Sequence, residues 1–275
     1  MLARYGQKSA VCLALMISFV SHPAAAKHAC DTQSTKGDIC LCELSDLHPT
    51  QASVGIEEVR IKAENLKDQF KGRSERDFLK YLRKHNKEEP VVIGPNGIFY
   101  IIDHHHLARA LYDIGASETY CIIVDNLSDT KLANFWKRLE DDNQVYLKDA
   151  NGNPITPDDL PTSVNNMSND PFRSLAGAVR ELCGFEKNDK SAGGEDYLEF
   201  QWADYFRAHW AQTGITVKDI DADFERATDA ALQLATRKDA VSLQVIRGKF
   251  HATDRHSFCP STKLWPARLR PFAFC

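Results

Sequence analysis

The sequence lacks several features that would place it in a well-marked class. It contains no GxxxxGK[ST] phosphate loop, no CxxC pair, and no internal repeat or low-complexity tract. These absences argue against P-loop nucleotide hydrolases, CxxC zinc knuckles and repeat proteins. It also lacks an excess of positive charge, because 34 Lys and Arg stand against 38 Asp and Glu. Any nucleic-acid partner therefore requires a local basic surface.

Residues 1–26 have the layout of a cleaved secretory signal. Arg4 and Lys8 precede the apolar run AVCLALMISFV, and the small residues Ala24 and Ala26 follow it. The run has about half of the ~20 residues that a transmembrane helix needs, and no other apolar stretch is longer. We therefore expect an exported protein, periplasmic or secreted, with no stable membrane insertion after cleavage near Ala26.

Seven of the eight cysteines lie beyond residue 26, so they cannot all pair within one chain. Cys259 and Cys275 bracket a Pro-rich tail, and Cys30 with either Cys40 or Cys42 brackets the mature N-terminus. We expect both to be disulfides, because small segments with little core are stapled in this way in oxidising compartments.

The first half of the chain alternates between strand-like and helical patterns. The segment 53–62 is interpreted as a strand, 74–86 as a helix capped by Ser74, 90–102 as a hairpin, 105–115 as a helix ended by Gly115, 119–127 as a strand, and 128–142 as a helix. Within the apolar strand, Cys121 is expected to be a buried, inert thiol.

The second half is helical in spacing, with predicted helices at 170–185, 195–214, 217–236 and 239–250. Asp170 followed by Pro171 predicts a capped helix start. Trp202, Phe206 and Trp210 share a helical stripe and are expected in the core, whereas Arg207 is assigned to either a cleft or the surface.

The predicted fold is α+β, a small α/β domain followed by a mostly helical domain. The boundaries are a signal at 1–26, a Cys-containing segment at 27–43, the α/β domain at 44–148, the helical domain at 149–250, and a Cys-bracketed tail at 251–275.

The segment FYIIDHHHLARAL, residues 99–111, gathers titratable groups where a strand turns into a helix. Asp103 is predicted to be the N-cap, which leaves amides at the positive end of the helix free for an anion. His105 or His106 could transfer protons, His104 could donate a hydrogen bond to phosphate, and Arg109 lies one turn beyond His105.

Two other interpretations of this segment stay open. A divalent metal could be held by His104 and His106 with Asp103 as an oxygen ligand, and a third residue such as His48 or Asp125. Alternatively, Asp103 caps the helix, His104 is exposed, and one of the other histidines is a hydrogen-bonded core residue.

Weaker site candidates lie elsewhere in the chain. His48, with Gln51 and Glu57 or Glu58, could form a polar cluster before the first predicted helix, although exposed glutamates are the ordinary interpretation. Arg173, in the first turn of its helix, either faces the α/β cleft and binds the substrate or merely pairs with a nearby acid.

Five segments resemble the putative ParB-like nuclease family, a group of mostly exported bacterial proteins distantly similar to the ParB/sulfiredoxin superfamily. They are LHPTQASVG (47–55), VVIGPNGIFYIIDHHHLARAL (91–111), FW (135–136), DPFRSLAGAVR (170–180) and EFQWADYFR (199–207). The resemblance implies a ParB/sulfiredoxin-like α/β domain and a nuclease-like activity.

Members of the wider superfamily hold nucleotide phosphates with an Asp-Gly-His-His-Arg-like turn. Here Asp103, His105 and His106 match that turn, while His104 replaces the glycine and Leu107 replaces the arginine. The resemblance therefore implies that the histidines form the chemical centre, with a changed phosphate clamp.

Three functions follow as hypotheses. The first is an exported nuclease or phosphodiesterase acting on nucleic acid or another phosphodiester, with a divalent metal as a candidate cofactor. The second is a nucleotide-dependent phosphotransferase. The third is a non-catalytic envelope protein that binds an anionic ligand at the same joint.

Overall fold

The computed structural model describes residues 29–182, 184–185, 197–237 and 240. The predicted signal, the proposed Cys259 and Cys275 disulfide, and all of the predicted helix at 239–250 except Ala240 lie outside these residues. The fold is α+β, as predicted, with a mixed sheet and an extensive helical half.

Five of the described strands form one sheet in the order β1-β6-β4-β5-β2. The strands are β1 (Ile39–Glu43), β2 (Leu47–Pro49), β4 (Glu89–Ile93), β5 (Phe99–Ile101) and β6 (Glu118–Asn126). A separate parallel pair joins β3 (Ser53–Val54) to β7 (Ser168–Asn169). Because β1 pairs with β6, the sheet begins before residue 44, inside the segment that the sequence assigned to the N-terminal region.

The predicted hairpin is confirmed, because β4 and β5 pair antiparallel with Val91 opposite Ile101. Alternate residues of β4 face opposite sides of the sheet. Val91 and Ile93 enter a core with the helices that follow β3, while Val92 packs on the other face with Tyr100 and Phe135.

Four helices accompany the sheet: α1 (Ile56–Phe70), α2 (Glu75–Lys84), α3 (His105–Asp113) and α4 (Leu132–Asp141). The predicted strand at 53–62 is wrong beyond Val54, since α1 begins at Ile56. Ile56, Val59, Ala63, Leu66 and Phe70 pack on one core at helical spacing, a period that becomes visible only past residue 62. Ser74 caps α2 as predicted, with its side chain accepting from Asp77 N.

The helical half contains α5 (Pro171–Glu181), α6 (Leu198–His209), α7 (Val217–Ala222) and α8 (Phe224–Ala235). The Asp170 side chain accepts from Phe172 N at 3.0 Å, which confirms the predicted cap. Trp202, Phe206 and Trp210 are buried in the core of this half, also as predicted. No helix among the described residues is long and apolar enough to cross a membrane.

Four cysteines meet on one face of β1 and β6. Cys30 is bonded to Cys40, one of the two predicted pairings, and Cys42 is bonded to Cys121. The expectation that Cys121 is an inert thiol is wrong, although the residue is buried. Cys40 and Cys121 lie directly opposite each other in the strand register, so the two disulfides are close together. This proximity depends on long-range strand pairing, which the local sequence does not reveal.

Candidate functional site

The turn before α3 differs from the predicted cap. Helix α3 begins at His105, and its N-cap is His104, which adopts a left-handed backbone conformation with φ 60°. Asp103 instead accepts from His104 N through Oδ1 at 2.7 Å. The sequence analysis aligned His104 with a glycine, and it is His104 that adopts positive φ here. This conformation costs a histidine about 1 kcal/mol.

His105 and His106 are buried and hold the segment that leads into α1. His105 Nε2 accepts from Thr50 N at 3.1 Å, and His106 Nε2 accepts from Gly55 N at 3.0 Å. An Nε2 that accepts a hydrogen bond carries no proton, so both imidazoles are neutral in this structure.

Burial reinforces that protonation state. It lowers the pKa of His105 to about 4, although the nearby Asp103 opposes the shift. Burial likewise lowers the pKa of His106 to about 3, although Glu58 opposes it. The alternative in which a histidine of this segment is a hydrogen-bonded core residue thus describes two residues rather than one, while His104 is exposed.

Glu58, which the sequence offered as a member of a polar cluster with exposure as the ordinary interpretation, has a side chain that is only 12% exposed. Its carboxylate lies 3.1 Å from Lys62 Nζ and 3.5 Å from His106 Nε2. Burial alone would raise its pKa, but His106 when protonated and the permanent charges of Lys62, Arg173 and Arg180 outweigh burial and hold the pKa well below its usual range. Glu58 is therefore ionised inside the protein.

Two glycines allow α1 and α5 to approach closely at this point. A Cβ at residue 55 would lie 2.5 Å from Ser174 N, and a Cβ at residue 177 would lie 2.6 Å from Glu58 Oε2. Since real Cβ atoms do not approach backbone so near, Gly55 is required for this approach of α5, whereas a Cβ at residue 177 would displace the Glu58 carboxylate. Their role could not be recognised from the sequence, because it depends on packing between distant segments.

Arg173 is the buried cation of the site. Its side chain is 5% exposed, and Nη2 donates to Glu199 Oε2 at 3.2 Å. The guanidinium carbon lies 4.6 Å from the centre of the Phe200 ring. Nε and Nη1 have no hydrogen-bond partner among the described residues. The alternative in which Arg173 pairs with a nearby acid is met by Glu199, although the pair is partly buried rather than exposed.

Arg173 also lies within electrostatic range of the predicted joint. Its charge acts on both His105 and His106, and it is opposed by the charges of Glu58, Asp170 and Asp103. An arginine keeps its proton at any ordinary pH, so this region contains a permanent buried positive charge. Two of its donor nitrogens, Nε and Nη1, have no acceptor among the described residues.

Glu89 is a second buried group that the sequence analysis missed. Its side chain is fully buried at the start of β4, and neither carboxylate oxygen has a hydrogen-bond partner within the described residues. Burial raises the pKa of Glu89 well above its usual range, and Asp103 raises it further while Lys87 opposes. Burial without a hydrogen-bond partner therefore favours the neutral form of this carboxyl group. The sequence gives no signal that separates Glu89 from Glu88.

Other predicted residues lie away from this centre or are already partnered. Arg109 Nε donates to Asp113 at 2.9 Å, and its Nη1 faces the carbonyl oxygens of Val164 and Met167. The ring of His48 contacts Tyr100, with 5.5 Å between ring centres. Arg207 donates to Asp170 Oδ2 at 2.7 Å and is partly buried.

The residues of the metal hypothesis are not brought together as a ligand set. His104 Nδ1 lies 3.1 Å from the carbonyl oxygen of Glu88, whereas His106 Nε2 is occupied by Gly55 N. In the part of the chain that the structure describes, the one group of three or more His, Cys, Asp or Glu residues with ligand atoms within 4.8 Å of one another is Cys30, Cys42 and Cys121, whose sulfurs are in disulfides.

The chain is similar to known proteins in both sequence and structure. A sequence model described as "Putative ParB-like nuclease" matches residues 40–208, a span that contains every site residue described above. The crystal structure of protein Atu1540 from Agrobacterium tumefaciens aligns with a TM-score of 0.62 at 30% sequence identity, covering 75% of this chain and 96% of that one. The comparison with curated proteins gives no match.

Proposed function

Since the chain belongs to the putative ParB-like nuclease family, we propose that it is an exported phosphodiesterase that binds its substrate phosphate at Arg173. The observation that carries the proposal is the buried guanidinium with two unpartnered donor nitrogens. A buried charge is costly unless hydrogen bonds compensate it, and a phosphate oxygen is a strong acceptor for such donors.

The proposal gives the neighbouring residues separate roles. Arg173 stabilises the negative charge that grows on the phosphate during attack by water. Asp103, the exposed carboxylate of the joint and within electrostatic range of Arg173, accepts the proton of that water. As the new P–O bond forms, the ester P–O bond breaks, and the leaving alkoxide takes a proton from solvent. His105 and His106 are positioning residues, since their hydrogen bonds hold Thr50 and Gly55 in place.

Two features support export. The described residues contain two disulfides, which persist in oxidising compartments and are rare in the cytosol. The signal-like layout of residues 1–26 is the sequence basis of the same proposal.

The test is hydrolysis of bis-p-nitrophenyl phosphate, linear DNA and RNA by the purified protein, with EDTA, Mg²⁺, Mn²⁺ or Zn²⁺. Arg173→Met removes the charge while keeping a long side chain, and we expect kcat/KM to fall about 100-fold or more. Arg180→Met is the matched control two turns along α5, because Arg180 is already paired with Glu181 and Glu199. It should retain activity within a few-fold.

The outcomes separate the hypotheses. Hydrolysis at the wild-type rate by Arg173→Met would show that the substrate phosphate does not bind at Arg173. Absence of hydrolysis by folded wild-type protein under every condition would contradict the enzyme assignment and favour the anion-binding alternative. A strict requirement for added nucleotide would favour the phosphotransferase.

A further inference from the structure

The charge of the chain is distributed unevenly. Residues 60–87 contain ten of the 34 Lys and Arg residues but four of the 38 Asp and Glu residues, in a protein of net charge −4. A strongly basic segment is therefore embedded in a chain that is otherwise acidic. This segment comprises most of α1, all of α2 and the residues leading to β4.

The structure gathers part of this charge on one side of α2. Arg76, Lys80 and Arg83 follow at i, i+4 and i+7, and Lys84 lies beside them, so the four share a helical face. All four are exposed, whereas Phe78, Leu79 and Leu82 on the other side are buried. We name Arg76, Lys80, Arg83 and Lys84 the α2 basic stripe.

Little of this charge is neutralised within the protein. Lys80 lies 3.0 Å from Asp77, and Arg83 lies over the ring of Tyr120 at 5.3 Å. Arg76 and Lys84 form no ion pair with any residue that the structure describes. Like charges held on one helix face repel one another, so a bound polyanion would relieve that repulsion.

We propose that the α2 basic stripe is a docking surface for single-stranded nucleic acid. This inference rests on the proposed function, for which it supplies a polymeric substrate and a place to hold it away from the scissile bond. The ring of Tyr120 lies beneath Arg83 and is partly exposed. Tyr81, next to Lys80 in the chain, is also partly exposed, but its ring packs against Phe78 and His85. Basic grooves interleaved with aromatic rings bind single strands by phosphate contact and base stacking.

Basic side chains continue from the stripe toward the candidate site. Lys87 is partly buried, and Lys62 and Glu89 lie within its electrostatic range. Lys62 in turn contacts Glu58 at 3.1 Å, and Glu58 lies against His106. Lys87 therefore extends the positive charge of this segment toward Lys62, where Glu58 neutralises it in part.

An anionic membrane surface fits the stripe less well. Helices that bind membranes insert an exposed apolar face between lipid headgroups. The apolar residues of α2 are buried, and the exposed large hydrophobic residues in the described chain are Tyr112, Leu132 and Val217, all outside residues 60–87.

The experiment is fluorescence anisotropy of a labelled 20-nucleotide single strand titrated with the full chain at several NaCl concentrations. The test variant carries Arg76→Gln, Lys80→Gln, Arg83→Gln and Lys84→Gln, all on an exposed face and all to a good helix former. The control carries Lys131→Gln, Lys137→Gln and Arg138→Gln, which are exposed on or beside α4.

We expect the test variant to bind at least ten-fold more weakly at low salt, and the control to bind like wild type. Each lost phosphate contact should reduce the slope of log K against log salt by about 0.7. Equal affinities and slopes for wild type and test variant would overturn the proposal, as would binding to phosphatidylglycerol vesicles without binding to the oligonucleotide.

Hydrolysis of bis-p-nitrophenyl phosphate separates this proposal from the proposed function. The small substrate does not need the stripe, so the test variant should hydrolyse it at the wild-type rate while its KM for the oligonucleotide rises. If wild type hydrolyses neither substrate but binds the strand through the stripe, the phosphodiesterase is refuted and the docking surface stands.

Discussion

The buried histidines and the buried arginine of this protein have very different surroundings. His105 and His106 are neutral, and the backbone amides of Thr50 and Gly55 satisfy their Nε2 atoms. Arg173, equally buried, is permanently charged and leaves Nε and Nη1 without partners among the described residues. The difference teaches that burial of a basic side chain does not by itself mark a reactive centre. The two histidines have hydrogen-bond partners for Nε2, whereas Arg173 keeps unused donors that a phosphate could accept under the proposed function.

The largest effect that follows from the neutral histidines is on acid stability. Each has a folded pKa below the ordinary value of 6.5, so the unfolded chain binds more protons below that pH and stability falls as pH falls. The pair should lose about 4 kcal/mol of unfolding free energy between pH 7 and 5. Glu89 acts in the opposite sense, since its raised pKa makes the folded state take up a proton over this window.

Glu89→Gln removes the opposing contribution of Glu89, because the amide keeps the shape of the neutral acid and does not titrate. We expect urea unfolding of this variant to show a steeper decline from pH 7 to 5 than wild type, reduced in part by Asp170 because burial raises its pKa. Wild type should show a shallower decline and lower stability at pH 7. A flat profile in Glu89→Gln would mean that the histidines are not buried in the neutral form.

Replacing one of these histidines should lower the free energy of unfolding somewhat less than acidification from pH 7 to 5 does. His106→Ala leaves Gly55 N–H without its acceptor and opens a cavity, and we expect a loss of about 3 kcal/mol in chemical unfolding at pH 7. His106→Gln, whose amide oxygen can accept the same hydrogen bond, should lose clearly less. Identical losses for the two variants would show that the hydrogen bond to Gly55 contributes nothing.

The smallest stability effect is expected at Arg173. Replacing it with Met removes an under-compensated charge as well as its bond to Glu199, so the unfolding free energy should stay within about 1 kcal/mol of wild type. Inorganic phosphate at millimolar concentration should raise the Tm of wild type but not of Arg173→Met. Severe destabilisation of the variant, or an equal rise of Tm in both proteins, would erase the contrast with the histidines.

Local patterns were sufficient for much of the fold. The hairpin around Gly94 and Gly97, the Ser74 cap and the Asp170 cap were all predicted from neighbouring residues, and the structure confirms them. The segment after Val54 was misassigned because its helical period extends past the stretch that was read as a strand. The prediction of Asp103 as the N-cap of α3 was wrong, because the left-handed backbone of His104 sets where the helix begins.

The site was less accessible from sequence, because its chemistry depends on contacts between distant segments. The HHH run identified the right region, but nothing local indicates that Thr50 and Gly55 occupy the imidazoles. Glu58 is held against Gly177 and Glu89 lies opposite the joint, so their burial depends on how α1, α5 and β4 pack. Arg173 was named as a candidate, but its unfilled donors appear only in three dimensions.

The Cys42 and Cys121 disulfide has a mechanical consequence. It closes a ring across a sequence separation of 79 residues, and this ring contains α1, α2, the β4 and β5 hairpin and α3. A force that pulls the two ends of the described chain apart would travel through the sulfur bridge and bypass the ring. The joint, its histidines and the α2 basic stripe therefore lie on an unloaded branch, while the helices after residue 170 would carry the full tension and extend first.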